Sequence, residues 1–208
     1  EGGAAPLLFP AMSYRVAVCV SGGGSNLQAL LDRLQGEAPA RVVLVLSNRA
    51  DAGGLDRARQ AGVPAEVLAD PADASEWITR LGRRDVDLHV LAGYLKLVPP
   101  GVVQKYAGRI VNVHPALLPA FGGAGMYGRR VHEAVLASGA AASGPTVHLV
   151  DEMYDRGEIL AQRRVPVLPG DTPETLAGRV LTAEHALLPE VVLAAARAGR
   201  PVPVPEEA

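Results

Sequence analysis

Val16-Ala17-Val18-Cys19-Val20-Ser21-Gly22-Gly23-Gly24-Ser25-Asn26-Leu27 decides the fold class. An apolar run enters a glycine turn, and Leu27, Leu30, Leu31 and Leu34 then recur at helical spacing. This is strand, turn, helix. The alternation continues outward. Residues 41–46 read as a strand, 48–61 as a helix ended by Gly62 and Pro64, and 65–68 as a short strand. Residues 75–81 read as a helix with Ser75 as N-cap, 86–92 as an apolar strand, 99–106 as a short helix and 110–113 as a further strand. Nearly continuous apolar strands between helices predict an α/β fold, a Rossmann-like, mostly parallel sheet with helices on both faces.

The pattern then changes. Residues 118–130 form a loop carrying Pro119, Gly122, Gly123, Gly125 and Gly128, and 131–138 are helical. Residues 146–150 and 159–167 read as strands without a helix between them, hence an antiparallel pair. Residues 172–198 read as a long helix, interrupted or bent near Pro189. The C-terminal part thus adds antiparallel strands and a long helix. The expected organisation is a tail at 1–11, one domain at 12–200 and an extended, proline-rich tail at 201–208.

Composition bounds the function. The 208 residues are 49% hydrophobic but only 4% aromatic, so the core must be aliphatic. Twenty basic against 22 acidic residues give a net charge of −2, which argues against nucleic acid as a partner. The single cysteine, Cys19, excludes an internal disulfide and any multi-cysteine metal site, and fits a cytoplasmic, reducing compartment. No apolar run approaches the roughly 20 residues that span a bilayer, and residues 1–11 lack the pattern of a secretory signal. Small-molecule substrates are expected, with no membrane partner. A homodimer is allowed, since the sequence does not set the oligomeric state.

Chemistry concentrates in Ile110-Val111-Asn112-Val113-His114-Pro115. On a strand, residues two apart share a face, so Asn112 and His114 project together at its end. A neutral donor beside a titratable one suits a reaction in which a carbonyl oxygen gains charge and a proton moves. In open α/β sheets ligands bind beyond the carboxyl ends of the strands, where the glycine loop also lies. That loop opens a helix and offers an anion free N–H groups and a favourable dipole. It is neither a Walker loop nor a G-x-G-x-x-G fingerprint, since Leu27 stands at the last glycine position, and a tight turn without ligand fits it equally well. Asp155 is the third candidate: near His114 it would raise and orient the imidazole, whereas the competing reading is an acidic turn. His148 faces the same cleft or supports the core, with support favoured. His89 reads as structural, His132 and Glu133 as surface, and Glu184-His185 as a solvated or packing pair. No histidine spacing suggests a metal site, and Ser21 and Ser25 lack a nucleophile elbow.

Several motifs occur together and in order: residues 18–28, Ser47-Asn48-Arg49-Ala50-Asp51-Ala52, Leu91-Ala92-Gly93-Tyr94-Leu95-Lys96, Asn112-Val113-His114-Pro115-Ala116-Leu117-Leu118-Pro119 and Glu184-His185. Over residues 14–192 the chain resembles the folate-dependent phosphoribosylglycinamide formyltransferases of purine synthesis. The resemblance implies direct formyl transfer from 10-formyltetrahydrofolate, through a tetrahedral intermediate and without a metal. It implies that Asn112, His114 and Asp155 are the catalytic trio. Gly24, Ser25, Asn26, Leu27 and Gln28 would hold the substrate phosphate, and Glu184 would contact the ribose. Leu95, Lys96, Leu97 and Val98 would line the folate pocket together with Asn112, and Asp151, Glu152, Met153, Tyr154 and Asp155 would close over the pterin. Two departures stand out. The segment 69–77 is short and holds no arginine for the folate glutamate tail, leaving that charge to Lys96. The loop 121–130 reads as a local form of the lid. The competing functions are a formyltetrahydrofolate hydrolase and a non-catalytic phosphate-binding Rossmann module.

Overall fold

A computed structural model describes residues 13–34 and 39–205, so the tail expected at 1–11 and the end of the tail at 206–208 lie outside the described residues. The chain forms β1 (Tyr14–Val20), α1 (Ser25–Arg33), β2 (Ala40–Ser47), α2 (Gly53–Gln60), β3 (Ala65–Val67), α3 (Ala74–Gly82), β4 (Leu88–Leu91), α4 (Pro100–Lys105) and β5 (Ile110–His114). The second part adds α5 (Arg129–Ala137), β6 (Ala142–Ser143), β7 (Thr146–Leu149), β8 (Ile159–Gln162), β9 (Val165–Pro166) and α6 (Pro173–Ala198). The main sheet has the order β3-β2-β1-β4-β5-β7-β8. Its first five strands are parallel, and β7 and β8 continue it antiparallel.

The alternation of side chains along β1 explains the layers. Val16, Val18 and Val20 pack with Leu27 and Leu30 of α1, Leu55 of α2 and Leu187, Leu188, Val191 and Val192 of α6. Ala17 and Cys19 pack on the opposite face with Trp77 and Leu81 of α3 and Val102 of α4. Each fully buried valine contributes about 2 kcal/mol. Helices cover both faces, as the apolar strands required. Cys19 is sealed, and burial pushes its thiol far above the ordinary range. Among the described residues no helix is long and apolar enough to cross a membrane.

Four local expectations change. Asp73, not Ser75, caps α3: its Oδ1 accepts the Ser75 N–H at 2.8 Å, and a carboxylate there also answers the helix dipole. The helix expected from residue 48 begins at Gly53, because the Asn48 side chain is drawn to Ser21 and Arg49 pairs with Asp51. The strand expected at 159–167 splits into β8 and β9, which join different sheets; β9 pairs with β6. Helix α6 runs through Pro189 without interruption, since buried neighbours on both sides outweigh one lost backbone bond. A Thr172–Thr175 capping box starts it and Gly199, in the left-handed conformation, ends it. The proline-rich segment continues beside β8, with Val204 N–H donating to the Leu160 carbonyl at 2.8 Å.

The strand order places the reversal of the sheet between β1 and β4. The first connections run outward from β1 to β2 and β3, and the next ones run back through β4 and β5. Such a switch point opens a crevice at the carboxyl ends of the strands.

Candidate active site

That crevice is a cleft of about 730 Å³. It is walled by the segment after β4, the end of β5, the loop before α5, the turn after β7 and the first half of α6.

The end of β5 brings Asn112 and His114 to it. In the antiparallel register Asn112 stands opposite His148 of β7. The His148 Nδ1–H donates to the Leu149 carbonyl at 2.8 Å, so Nε2 is free to accept the Asn112 amide at 3.1 Å. His114 is only 3% exposed. Its Nε2–H donates to the Phe121 carbonyl at 2.9 Å, which leaves Nδ1 without a proton in the neutral ring. Nδ1 faces Asp155 Oδ2 at 3.6 Å, too far for a hydrogen bond but close enough for charge to matter. Asp155 Oδ1 stands 3.5 Å from His148 Nε2, and its Oδ2 accepts the Gly123 N–H at 2.8 Å. The three residues named by sequence therefore meet in the cleft, with His148 as a fourth.

Asp155 reaches this position through a constrained turn. Its own φ is +53°, rare for a residue with a side chain. Two residues on, Gly157 lies so close to the Leu149 carbonyl oxygen that any Cβ would collide with it. The β7–β8 register shifts between Val147 and His148, and such irregularities re-aim side chains beside sites.

Electrostatics correct one expectation. Burial lowers the His114 pKa, while Asp155 and the Phe121 carbonyl oppose it; burial wins, and the ring sits below its ordinary 6.5. The carboxylate raises His114 as foreseen, but a 3.6 Å gap does not offset desolvation. For Asp155, burial favours the neutral acid. The His148 ring, the Gly123 N–H and the His114 ring reverse this and hold the carboxyl below its usual range.

On the other side of the cleft, Leu95, Lys96 and Leu97 are exposed while Val98 is buried; Leu95 and Leu97 are each 55% exposed. Asp151, Glu152, Met153 and Tyr154 line the same cleft, with Met153 and Tyr154 also exposed and Glu152 Oε1 accepting the Gln104 side-chain amide of α4 at 3.0 Å. Large apolar side chains gathered at one opening mark a ligand surface. Ser21 ties this wall to the glycine loop: its hydroxyl donates to Asn48 Oδ1 at 2.6 Å and accepts the Leu95 N–H at 2.9 Å.

At the glycine loop, Gly24 caps α1 with φ +73° and presses on the Gly54 backbone, which excludes a side chain there. Gly22 and Gly23 face open space. Ser25 and Gln28 are half-buried beside the helix start, whereas the Leu27 side chain is wholly in the core and offers only its backbone. Asn26 is buried, its Nδ2 donating to Glu184 Oε2 at 2.5 Å. Glu184 is thus a buried wall residue of the cleft rather than a solvated helix position. Burial pushes its carboxyl up, and Asn26 counters this only in part.

Two histidines depart from the reading favoured for them. His148 takes its other reading and lines the cleft, and the alternation of Thr146, His148 and Val150 was the signal. His132, read as surface, is buried and lines the cleft. His89 is structural: both ring nitrogens are buried without partners, the ring lies against Tyr106, and burial lowers its pKa to about 3.

Residues 14–192 match the formyl transferase family. The chain is 50% identical over 186 residues to the chloroplastic phosphoribosylglycinamide formyltransferase of Arabidopsis thaliana, covering 86% of this chain and 64% of that protein. It therefore spans less than two thirds of the plant relative's length. It is 39% identical over 184 residues to phosphoribosylglycinamide formyltransferase of Escherichia coli (strain K12), covering 85% of this chain and 84% of the relative. Among solved structures, glycinamide ribonucleotide transformylase 1 from Symbiobacterium toebii superposes with a TM-score of 0.84 at 41% identity, over 95% of this chain and 94% of that one. With the family matched along nearly all of the sheet and the long helix, the chain belongs to the formyl transferases.

Proposed function

We propose that this chain transfers a formyl group from 10-formyltetrahydrofolate to the amine of 5′-phosphoribosylglycinamide. The observation that carries the reading is the meeting of Asn112, His114 and Asp155 in one cleft whose wall also holds Asn26 and Glu184, at the start of α1 and on α6. The apolar mouth around Leu95, Leu97, Met153 and Tyr154 suits a flat heteroaromatic ring, which supports the folate. The free N–H groups at the start of α1, with Gly22 and Gly23 open beside them, suit a phosphate. Gly24, Ser25, Asn26, Leu27 and Gln28 serve the phosphate in this reading, Glu184 the ribose, and Lys96 the anionic folate tail.

The residues divide the work. The formyl donor supplies an activated one-carbon unit. Asn112 has one amide hydrogen on His148 and a second for the carbonyl oxygen as it gains charge. Such a donor contributes about 3–4 kcal/mol. His114 rests neutral, takes a proton from the attacking amine on Nδ1 and returns it to the leaving nitrogen. Asp155 stabilises the imidazolium formed in between. Holding both substrates in register contributes up to roughly 7–11 kcal/mol. A reducing, cytoplasmic setting belongs to the same reading, supported by the single sealed thiol.

The test is incubation with 10-formyltetrahydrofolate, with and without the ribonucleotide. Tetrahydrofolate released only when the amine is present is the expected result. Release in its absence indicates a hydrolase, and no release under either condition indicates a binding module.

A further inference from the structure

His132 stands apart from the other histidines of the cleft. It sits on α5, is 5% exposed and lines the cleft. Its Nδ1 is buried and has no hydrogen-bond partner. In His89 both ring nitrogens are sealed in this way, whereas in His132 only Nδ1 is, so Nε2 is the nitrogen left open to the cleft. No carboxylate forms an ion pair with the ring among the described residues. Burial and the nearby His114 both keep it neutral. A neutral ring with a buried, bare Nδ1 carries its proton on Nε2 and is a hydrogen-bond donor there.

A buried polar nitrogen without a partner costs stability. An aromatic hydrocarbon of similar size would fill the same space without that cost. A residue that is worse for the fold than its apolar substitute points to use by a ligand. Its surroundings identify which ligand. Helix α5 packs on α6, and Ala177, Leu181 and Glu184 of α6 line the same cleft as His132. That wall is the ribonucleotide's side in the function proposed above, on which this inference rests. A neutral donor next to His114 is matched to a neutral acceptor, not to a phosphate.

We propose that His132 is a substrate contact whose Nε2–H donates to the amide carbonyl of the ribonucleotide's glycinamide arm, holding the amine in line with His114. The test compares the wild-type protein with His132→Phe and His132→Gln, by Tm and by the KM of each substrate. His132→Phe is expected to raise the ribonucleotide KM about fivefold to tenfold. It is expected to leave the formyl-donor KM within twofold and to hold or raise Tm. His132→Gln, which keeps an N–H donor, is expected to recover part of the lost affinity. An unchanged ribonucleotide KM in His132→Phe overturns the proposal. So does a fall in Tm with both KM values rising together, the mark of a merely structural ring; should the phenylalanine variant not fold, the same two results in His132→Leu, which also lacks the donor, decide. Wild-type protein that transfers no formyl group to the ribonucleotide overturns the functional reading first, before either variant is made.

Discussion

On the β1 side of the cleft the groups offered to a ligand belong to the main chain; on the β7 side they are ionisable side chains. The first set is fixed by the parallel register and by one left-handed glycine at the start of α1. The second hangs on a short turn in which Asp155 adopts a positive φ and Gly157 touches the Leu149 carbonyl. The difference separates anchoring from chemistry. A wall of backbone amides holds an anion with little regard to side-chain identity, whereas the reactive wall depends on two or three atoms held by local strain.

The sharpest way to break this division is Asp155→Asn. It should lower kcat roughly 10²- to 10⁴-fold, the range of a lost acid–base group, with both KM values nearly unchanged in steady-state kinetics. A kcat within a few-fold of wild type would remove the carboxylate from the chemistry. Next in size is Gly157→Ala, which leaves every ionisable group present but forces the turn away from Leu149. A displacement near 1 Å can cost about 100-fold in rate, so kcat should fall by about that factor and Tm should drop. On the anchoring wall the paired variants Gly23→Ala and Gly24→Ala should separate. The first meets open space and should keep Tm while raising the ribonucleotide KM about tenfold. The second meets the Gly54 backbone and should lower Tm. The smallest effect is in pH. Burial makes His114 harder to protonate, so it stays a proton acceptor at pH values where an ordinary imidazole has charged. The acid limb of kcat should therefore lie below pH 6.5, and in Asp155→Asn it should move lower still, because the charge favouring the imidazolium is gone. An acid limb above 6.5 would mean that the resting ring is protonated.

The sheet was legible because its strands are unbroken apolar runs between helices, a pattern that leaves few alternatives. Asn112 and His114 were legible for a similarly local reason, the two-residue period of a strand. Asp155 could be named but not placed: its approach depends on a positive φ and on contact between Gly157 and Leu149, neither of which leaves a periodic trace. His132 was misread because Arg129, Arg130 and Glu133 beside it suggest a wetted helix face, while the residue is buried and lines a cleft assembled from segments distant in sequence. Ser75 was read as the cap, whereas the cap is Asp73, two positions earlier, whose carboxylate accepts the Ser75 N–H. The neutral state of His114 reflects a balance between burial and a distant carboxylate, which needs coordinates.

Cys19 has a practical consequence. It is the chain's lone thiol, locked in β1 inside the sheet and driven toward its unreactive, protonated form by the hydrophobic layer around it. Alkylating reagents can reach it only when that layer comes apart. The rate at which a thiol dye modifies the native protein is therefore a clock for whole-molecule opening. It stays silent when the loops over the cleft rearrange, so each variant's effect on the scaffold can be timed apart from its effect on turnover.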